Sequence, residues 1–390
     1  VALAPVKDNK NFIGDKKEDK DAEAIPLQDI LALWAHCTLP AAICQHPAQK
    51  IFFCFGQIDK PHFVEYNFSR IFCRRIPPKT RIPERKGIMK YTPQEVMQYI
   101  QEEDVKFIRL AFCDVYGCNK NISIMPQELE RAFEYGIAID ASAIAGFGDE
   151  VHSDLFLHPD PTTIAVLPWR PEHGRVVRMF CSITDQQGNP FTHDCRNILK
   201  QAVADAAKAG FAFSFGSELE FYLFRLDENG EPTHIPYDQA TYMDVSPDDK
   251  CENVRREICL TLERMGIRPE SSHHEQGPGQ NEIDFRYSDA LTAADNAVTF
   301  RTVVKTIAAG NGLCADFSPK PLPDQPGSGF HINMSVKGPG ENRMHHMMGG
   351  ILRHVSDMTR FLNPSPQSYS RLGVCKAPKY ISWCNNNRSM

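Results

Sequence analysis

The stretch that most constrains the fold is residues 211–226, which read Phe-Ala-Phe-Ser-Phe-Gly-Ser-Glu-Leu-Glu-Phe-Tyr-Leu-Phe-Arg-Leu. Alternate side chains of a strand share a face. Glu218 and Glu220 then point one way, and Leu219 and Phe221 the other. The aromatic neighbours Phe213, Phe215, Tyr222 and Phe224 argue for a strand in a core. Buried acids need partners, and two carboxylates on one face repel unless a cation lies between them. The segment therefore reads either as a solvated strand face or as two metal ligands on a core strand.

Other segments carry groups of the same chemistry. His273-His274-Glu275 precedes Gln276-Gly277-Pro278-Gly279, a turn signal, and Gln280-Asn281-Glu282 follows. A hairpin here brings Glu275 near Glu282. The pattern is not His-Glu-x-x-His on a helix, so it does not read as a zincin. His274 reads as an ordinary hydrogen-bonding residue beside the turn, and His273 is open between that and a ligand. In Gly327-Ser328-Gly329-Phe330-His331-Ile332-Asn333, the glycines let the backbone approach a ligand, and His331 and Asn333 share a strand face. Carboxylates with one imidazole suit Mg²⁺ or Mn²⁺ better than a thiolate-seeking metal. Arg371 and Arg388 are cations that, beside such a cluster, can hold a phosphate or a substrate carboxylate.

Composition narrows the class. Of 390 residues, 24% are charged and 42% hydrophobic, with a net charge of −6, so nucleic acid is not the expected partner. The thirteen cysteines show no paired spacing of a zinc site and read as reduced thiols. Between Ile25 and Cys44 the uninterrupted apolar run covers only 30–35, too short for a membrane span and poor for a signal peptide, so the expectation is a cytoplasmic protein. Residues 1–88 hold no methionine and carry 14 Lys and Arg against 10 Asp and Glu, a net of +4, whereas the rest carries 29 against 39, a net of −10. They read as a poorly ordered leader, not a basic binding arm.

After Met89 the signals sharpen. Thr92-Pro93-Gln94-Glu95 is a capping box with proline at the first helical position. Strands are predicted at 106–114, 119–125, 164–168 and 176–183, with a short helix at 126–135, which makes a small α+β domain over 89–185. A second domain, 190–390, opens on a helix capped by Asp194, and further helices are predicted from Ser246-Pro247-Asp248-Asp249, over 289–309 and over 341–362.

The order of these pieces is specific. Asp140-Ala-Ser-Ala-Ile, Gly-Ser-Glu218-Leu-Glu220, His-His-Glu275 with Gly-Gln-Asn-Glu282, Pro-Lys-Pro at 319–321, Gly-Ser-Gly-Phe-His331 and Asn-Pro…Ser-Tyr-x-Arg371-Leu together closely resemble the type I glutamine synthetase family. The resemblance runs from about Tyr91 to Ser389. It implies an α+β protein: a β-grasp N-terminal domain followed by an α/β catalytic domain related to the guanidino kinases. It also implies a homo-oligomeric ring, a dodecamer, with active sites between subunits. The implied activity is ATP-dependent formation of glutamine from glutamate and ammonium.

Two divalent ions, Mg²⁺ or Mn²⁺, are implied as well. By motif, one takes Glu220, Glu275 and Glu282, and the other Glu218 and His331. Glu270, Asn333 and Ser335 match nucleotide contacts, and Arg388 a phosphate contact. Gly327 and Arg371 match positions that hold the amino-acid substrate. Asp140 and Tyr242 match the ammonium site, Asp140 being contributed by a neighbouring subunit. Three departures stand out. Ala143 replaces a serine, and Lys376 replaces the flap glutamate before Ala377-Pro378. The family pattern also continues beyond Met390 to another metal-ligating glutamate and further arginines, so weak or absent activity of these 390 residues is the expectation. The departures keep two alternatives in view: a γ-glutamyl ligase for another amine, and a truncated or non-catalytic homologue.

Overall fold

The structure is a computed structural model describing residues 91–148, 154–170 and 173–383. Residues 1–88, the predicted leader, lie outside the described residues, as does Arg388. Two mixed α/β units follow one another, each built on one sheet.

The first unit begins with helix α1 (Pro93–Glu102). The capping box forms: Thr92 Oγ1 accepts from the Glu95 N–H, and the Glu95 carboxylate accepts from the Thr92 N–H. Strands β1 (Val105–Cys113) and β2 (Asn119–Ile124) make the expected hairpin, and the short helix α2 (Leu129–Glu134) follows a 3₁₀ turn. Then come β3 (Ile137–Asp140), β4 (Asp154–Pro159), the two-residue β5 (Ala165–Val166) and β6 (Arg175–Thr184). The sheet order is β2-β1-β6-β4-β3, with β5 also on β6, and the β1–β6 pairing is parallel. One face buries Ile108, Leu110, Leu157, Val177 and Met179 with Val96 and Ile100 of α1.

The second unit holds helix α3 (Cys195–Lys208), strands β7 (Ala212–Leu226) and β8 (Pro232–Pro236), helix α4 (Glu252–Arg264), the hairpin β9 (Pro269–His274) and β10 (Gln280–Asp289), helix α5 (Ala290–Gly310), strands β11 (Leu313–Asp316) and β12 (Phe330–Lys337), and helices α6 (Arg343–Leu362) and α7 (Pro366–Arg371). Strand β7 is the spine. It pairs antiparallel with β10 and β8 on one side and with β12 and β11 on the other. Leu219, Phe221, Leu223, Ile283 and Phe285 are buried against Val254, Ile258 and Leu262 of α4 and Phe300, Val303 and Val304 of α5. Each such side chain contributes roughly 1.5–3 kcal/mol by leaving water. The helix predicted to open at Ser246 begins instead at Glu252, because Asp249 spends its carboxylate on the Cys251 N–H and on Arg255.

The two units share a core and a charged lock. Ala111, Cys113 and Phe180 of the first sheet pack with Leu199, Ala294 and Ile351 of the second unit. Asp194 caps α3 and also accepts from the Ile183 N–H of β6. The buried Arg196 guanidinium joins Asp160 of the first unit, at 2.9 Å, to Asp295 of α5, at 3.0 Å. Among the described residues no helix is long and apolar enough to cross a membrane.

Candidate active site

Strand register builds the site. Glu220 on β7 faces Glu282 on β10, which faces His273 on β9. One row along, His331 on β12 faces Glu218, which faces Asp284, which faces Ser271. Two adjacent rows of one sheet face thus carry Glu220, Glu282, Glu218 and Asp284 with two imidazoles, while the opposite face is the apolar core. The Gly277–Gly279 turn closes as the sequence predicts, with the Gln280 N–H on the Gly277 carbonyl and the Glu275 N–H on the Gln280 carbonyl. It brings Glu275 beside Glu282.

Two donor groups share Glu282. One oxygen or nitrogen from each of Glu218, Glu282 and His331 lies within 4.8 Å of the others, and the same holds for His273, Glu275 and Glu282. His273 is 3.8 Å from Glu275 Oε1 and 3.6 Å from Glu282 Oε2. Burial, then the negative charges of Glu220, Asp284 and Glu275, push the Glu282 carboxyl well above the carboxylate range. Burial also raises Glu220 and Asp284. Asp284 accepts from Ser271 Oγ through one oxygen, and its other oxygen is buried without a hydrogen bond. A face that repels itself, with oxygen and imidazole donors converging and no thiolate among them, fits a hard divalent cation.

Among the described residues, the remaining predicted ones fall around this face, with one exception, and Arg388 lies outside them. Asn333 Nδ2 donates to Glu218 Oε1 at 2.6 Å, and Ser335 follows Asn333 on the same face of β12. Glu270 reaches the region through a β-bulge. Ser271 pairs with Asp284 and Pro269 with Phe285, so Glu270 is the extra residue. Its charge and that of Glu218, after burial itself, raise the phenol of Tyr287. The Tyr287 ring in turn fills the space above Gly216, where a Cβ would stand 2.9 Å from it. Gly327 packs on Arg371: a Cβ there would lie 2.8 Å from Arg371 Cδ and 2.4 Å from the Pro319 carbonyl. Burial lowers the Arg371 guanidinium, and the facing Glu220 opposes that. Tyr242 meets the His273 ring edge-on at 5.4 Å, and Lys376 Nζ lies 5.2 Å from the Tyr242 ring centre. Asp140 is the exception. It stands exposed at the end of β3 on the other sheet, accepting from the Ser142 N–H and hydroxyl.

Two contributors, Asp284 and Gln280, escape the sequence reading, and a third is left open by it. Asp284 follows Glu282 at the same spacing of two that picks out Glu218 and Glu220 and is accessible to that argument. His273, left open by the sequence, stands beside Glu275 and Glu282. Gln280 is buried and bridges the Gly-rich loop to the strand. Its amide donates to Glu220 Oε2 at 2.7 Å and to the Gly327 carbonyl at 3.2 Å, and its Oε1 accepts from the Gly277 N–H and the Tyr222 hydroxyl. No short-range pattern marks it.

Comparison with known proteins covers both units. The family model for the glutamine synthetase catalytic domain matches residues 192–390, and that for the glutamine synthetase beta-grasp domain matches residues 104–186. Glutamine synthetase of Clostridium saccharobutylicum is 42% identical over 314 residues, which are 77% of this chain and 71% of that protein. The chain belongs to the glutamine synthetase family. Glutamine synthetase of Methanosarcina mazei is 45% identical over 312 residues, 76% of this chain and 70% of that protein. Among solved structures, a GmaS/ADP complex superposes with a TM-score of 0.68 at 27% identity over 75% of this chain and 72% of that one. A Plasmodium falciparum glutamine synthetase, at 24% identity and a TM-score of 0.66 over 74% and 64%, shares the fold. Both the acidic sheet face and the Gly-rich loop lie within the stretch matched as the glutamine synthetase catalytic domain.

Proposed function

We propose that the acidic face of the large sheet is the metal and nucleotide centre of an ATP-dependent ligase that forms glutamine from glutamate and ammonia. The observation that carries this reading is the position of Glu282, shared between two donor triads that repel one another without a cation. A carboxylate is a poor acylating agent. Transfer of the ATP γ-phosphoryl group to the glutamate side-chain carboxylate makes an acyl phosphate, which ammonia attacks, releasing phosphate. Divalent cations supply charge neutralisation for the transferred phosphoryl group.

The chain's own residues do the rest. Glu220, Glu275, Glu282 and His273 line one cation position, and Glu218, Glu282 and His331 the other. Asp284 adds charge to the same rows. Asn333, Ser335 and Glu270, with Tyr287, face the nucleotide. Arg371 holds the substrate carboxylate, and Gly327 lets it approach the backbone, held there by Gln280. Asp140 joins the site from a neighbouring subunit of a homo-oligomeric ring and, with Glu275, favours ammonium and its deprotonation. The protein works in the cytoplasm and needs neither nucleic acid nor a membrane.

Lys376 favours a second reading, a γ-glutamyl ligase for a different amine. It puts a cation over Tyr242 and so beside the His273–Glu275 end of the site, where the family pattern has an anion that accepts the ammonium proton. ADP formation with glutamate and ammonium, against a panel of primary amines, decides between them. Turnover with ammonium supports glutamine synthesis, and turnover with one amine alone supports the second reading. ATP turnover that ignores glutamate sinks both.

A further inference from the structure

Behind Glu275 lies a buried polar knot that takes no part in the reaction as described. His274 follows His273 but points to the other side of β9, where it is fully buried. Its Nδ1 lies 2.6 Å from the main-chain carbonyl of Glu275, which can only accept, so Nδ1 donates. Its Nε2 lies 2.9 Å from Asp238 Oδ1. Asp238 in turn accepts from the Gly279 N–H at 2.9 Å, the Lys250 N–H at 3.0 Å and the Cys251 thiol at 3.2 Å. The carbonyl of His274 itself accepts from the Met243 N–H, one residue past Tyr242.

Asp238, Asp249, Cys251 and His274 stand close enough together to suggest a metal site. Their hydrogen bonds argue against one. Three donors, from Gly279, Lys250 and Cys251, and the His274 ring surround the Asp238 carboxylate, and the Asp249 carboxylate is held in a two-point pair by Arg255, which also donates to Asn281 Oδ1 at 2.7 Å. A buried carboxylate with every acceptor position engaged has nothing left for a cation.

Instead, the knot fixes backbone. His274 pins the Glu275 carbonyl on one side, Asp238 pins Gly279 on the other side of the same turn, and the Met243 bond pins the Tyr242 loop. We propose that His274 and Asp238 are positioning residues that set the main chain under Glu275, and through it the cation position shared by His273, Glu275 and Glu282. This rests on the reading of the acidic face as a metal centre. Groups that orient ligands from behind change metal affinity by roughly 10–100-fold when removed.

The test is a Mn²⁺ titration of the full chain, followed by the electron paramagnetic resonance signal of free Mn²⁺, with a melting curve for each variant. His274→Gln keeps an amide near the Asp238 end but loses the donor to the Glu275 carbonyl, and His274→Asn does the reverse. The expected result is two classes of Mn²⁺ site in the wild type. In both variants one class weakens at least tenfold, and the class held by Glu218 and His331 stays within about threefold. A general loosening of the fold would weaken both classes together. Unchanged affinities at both classes, or a parallel loss at both that tracks the melting temperature, overturns the proposal. If neither His274 variant folds, Asp238→Asn, which keeps the shape, carries the same comparison. A wild type that binds no Mn²⁺ overturns the reading of the metal centre, whereas two wild-type sites indifferent to His274 and Asp238 overturn only this inference.

Discussion

Replacing Glu282 by glutamine isolates the repulsion stored on the acidic face. The Glu282 carboxyl is raised far above its ordinary value of 4.5 by burial and by three neighbouring acids. Between pH 4.5 and the raised native value, the folded protein therefore holds a proton that the unfolded chain releases. Stability of the metal-free protein then falls as pH rises, by about 1.4 kcal/mol per pH unit. At pH 7 the deficit reaches about 3 kcal/mol, and glutamine, which imitates the neutral acid, removes it. At roughly 2–4 °C per kcal/mol for a domain of this size, Glu282→Gln melts several degrees above wild type in EDTA. The gap closes as the pH approaches 4.5.

Magnesium narrows this gap. A cation at a hundredfold excess over its dissociation constant adds about 2.7 kcal/mol to the wild type. The variant has lost the ligand common to both triads and gains less. The assay is a thermal melt of both proteins at several pH values, with EDTA and with Mg²⁺. A variant that melts at or below wild type in EDTA at pH 7, a gap independent of pH, or equal stabilisation by Mg²⁺ refutes the reasoning.

Other perturbations probe separate parts of the structure. Arg196→Ala leaves the half-buried Asp160 and Asp295 without their cation and should cost about 3 kcal/mol in urea unfolding; a change below 1 kcal/mol would show that the lock is ornamental. Gly327→Ala forces a Cβ against the Pro319 carbonyl and the Arg371 stem. It should cost about 1–3 kcal/mol in stability and weaken glutamate binding measured by calorimetry. Lys376→Glu replaces a cation beside Tyr242 by an anion that can accept the ammonium proton and should raise kcat/KM for ammonium; an unchanged value separates Lys376 from the amine side of the reaction. Burial pulls the Asp238 carboxyl upward, but its hydrogen bonds from His274, Cys251 and Gly279 outweigh this and hold it near about 2, below its ordinary 3.8. Its stabilisation is present above pH 3.8 and lost as pH falls toward 2, so Asp238→Asn should flatten the acid limb of a stability–pH curve.

Much of this site is legible in the sequence because strand alternation and a glycine turn are local rules. Period two puts Glu218 with Glu220 and His331 with Asn333, and Gly277-Pro278-Gly279 predicts that Glu275 returns beside Glu282. What escapes is set by pairing between distant segments. The row that joins Glu220, Glu282 and His273 exists only because β7, β10 and β9 pair in one register, which no single strand specifies. The bulge at Glu270 breaks the alternation that would otherwise place it. Gln280 matters because the loop before β12 folds over it. In the first unit, β3 and β4 are short, and their burial is supplied by β6 and α2 rather than by a strong pattern of their own. Arg196 carries no local signal, because its partners Asp160 and Asp295 come from elsewhere in the chain.

The most direct test of the ligase reading follows an oxygen atom. Glutamate labelled with ¹⁸O in its side-chain carboxylate is incubated with the protein, ATP, Mg²⁺ and ammonium, and the inorganic phosphate is analysed by mass spectrometry. Activation through an acyl phosphate transfers one labelled oxygen to phosphate for every glutamine formed. Unlabelled phosphate released alongside glutamine would contradict the account.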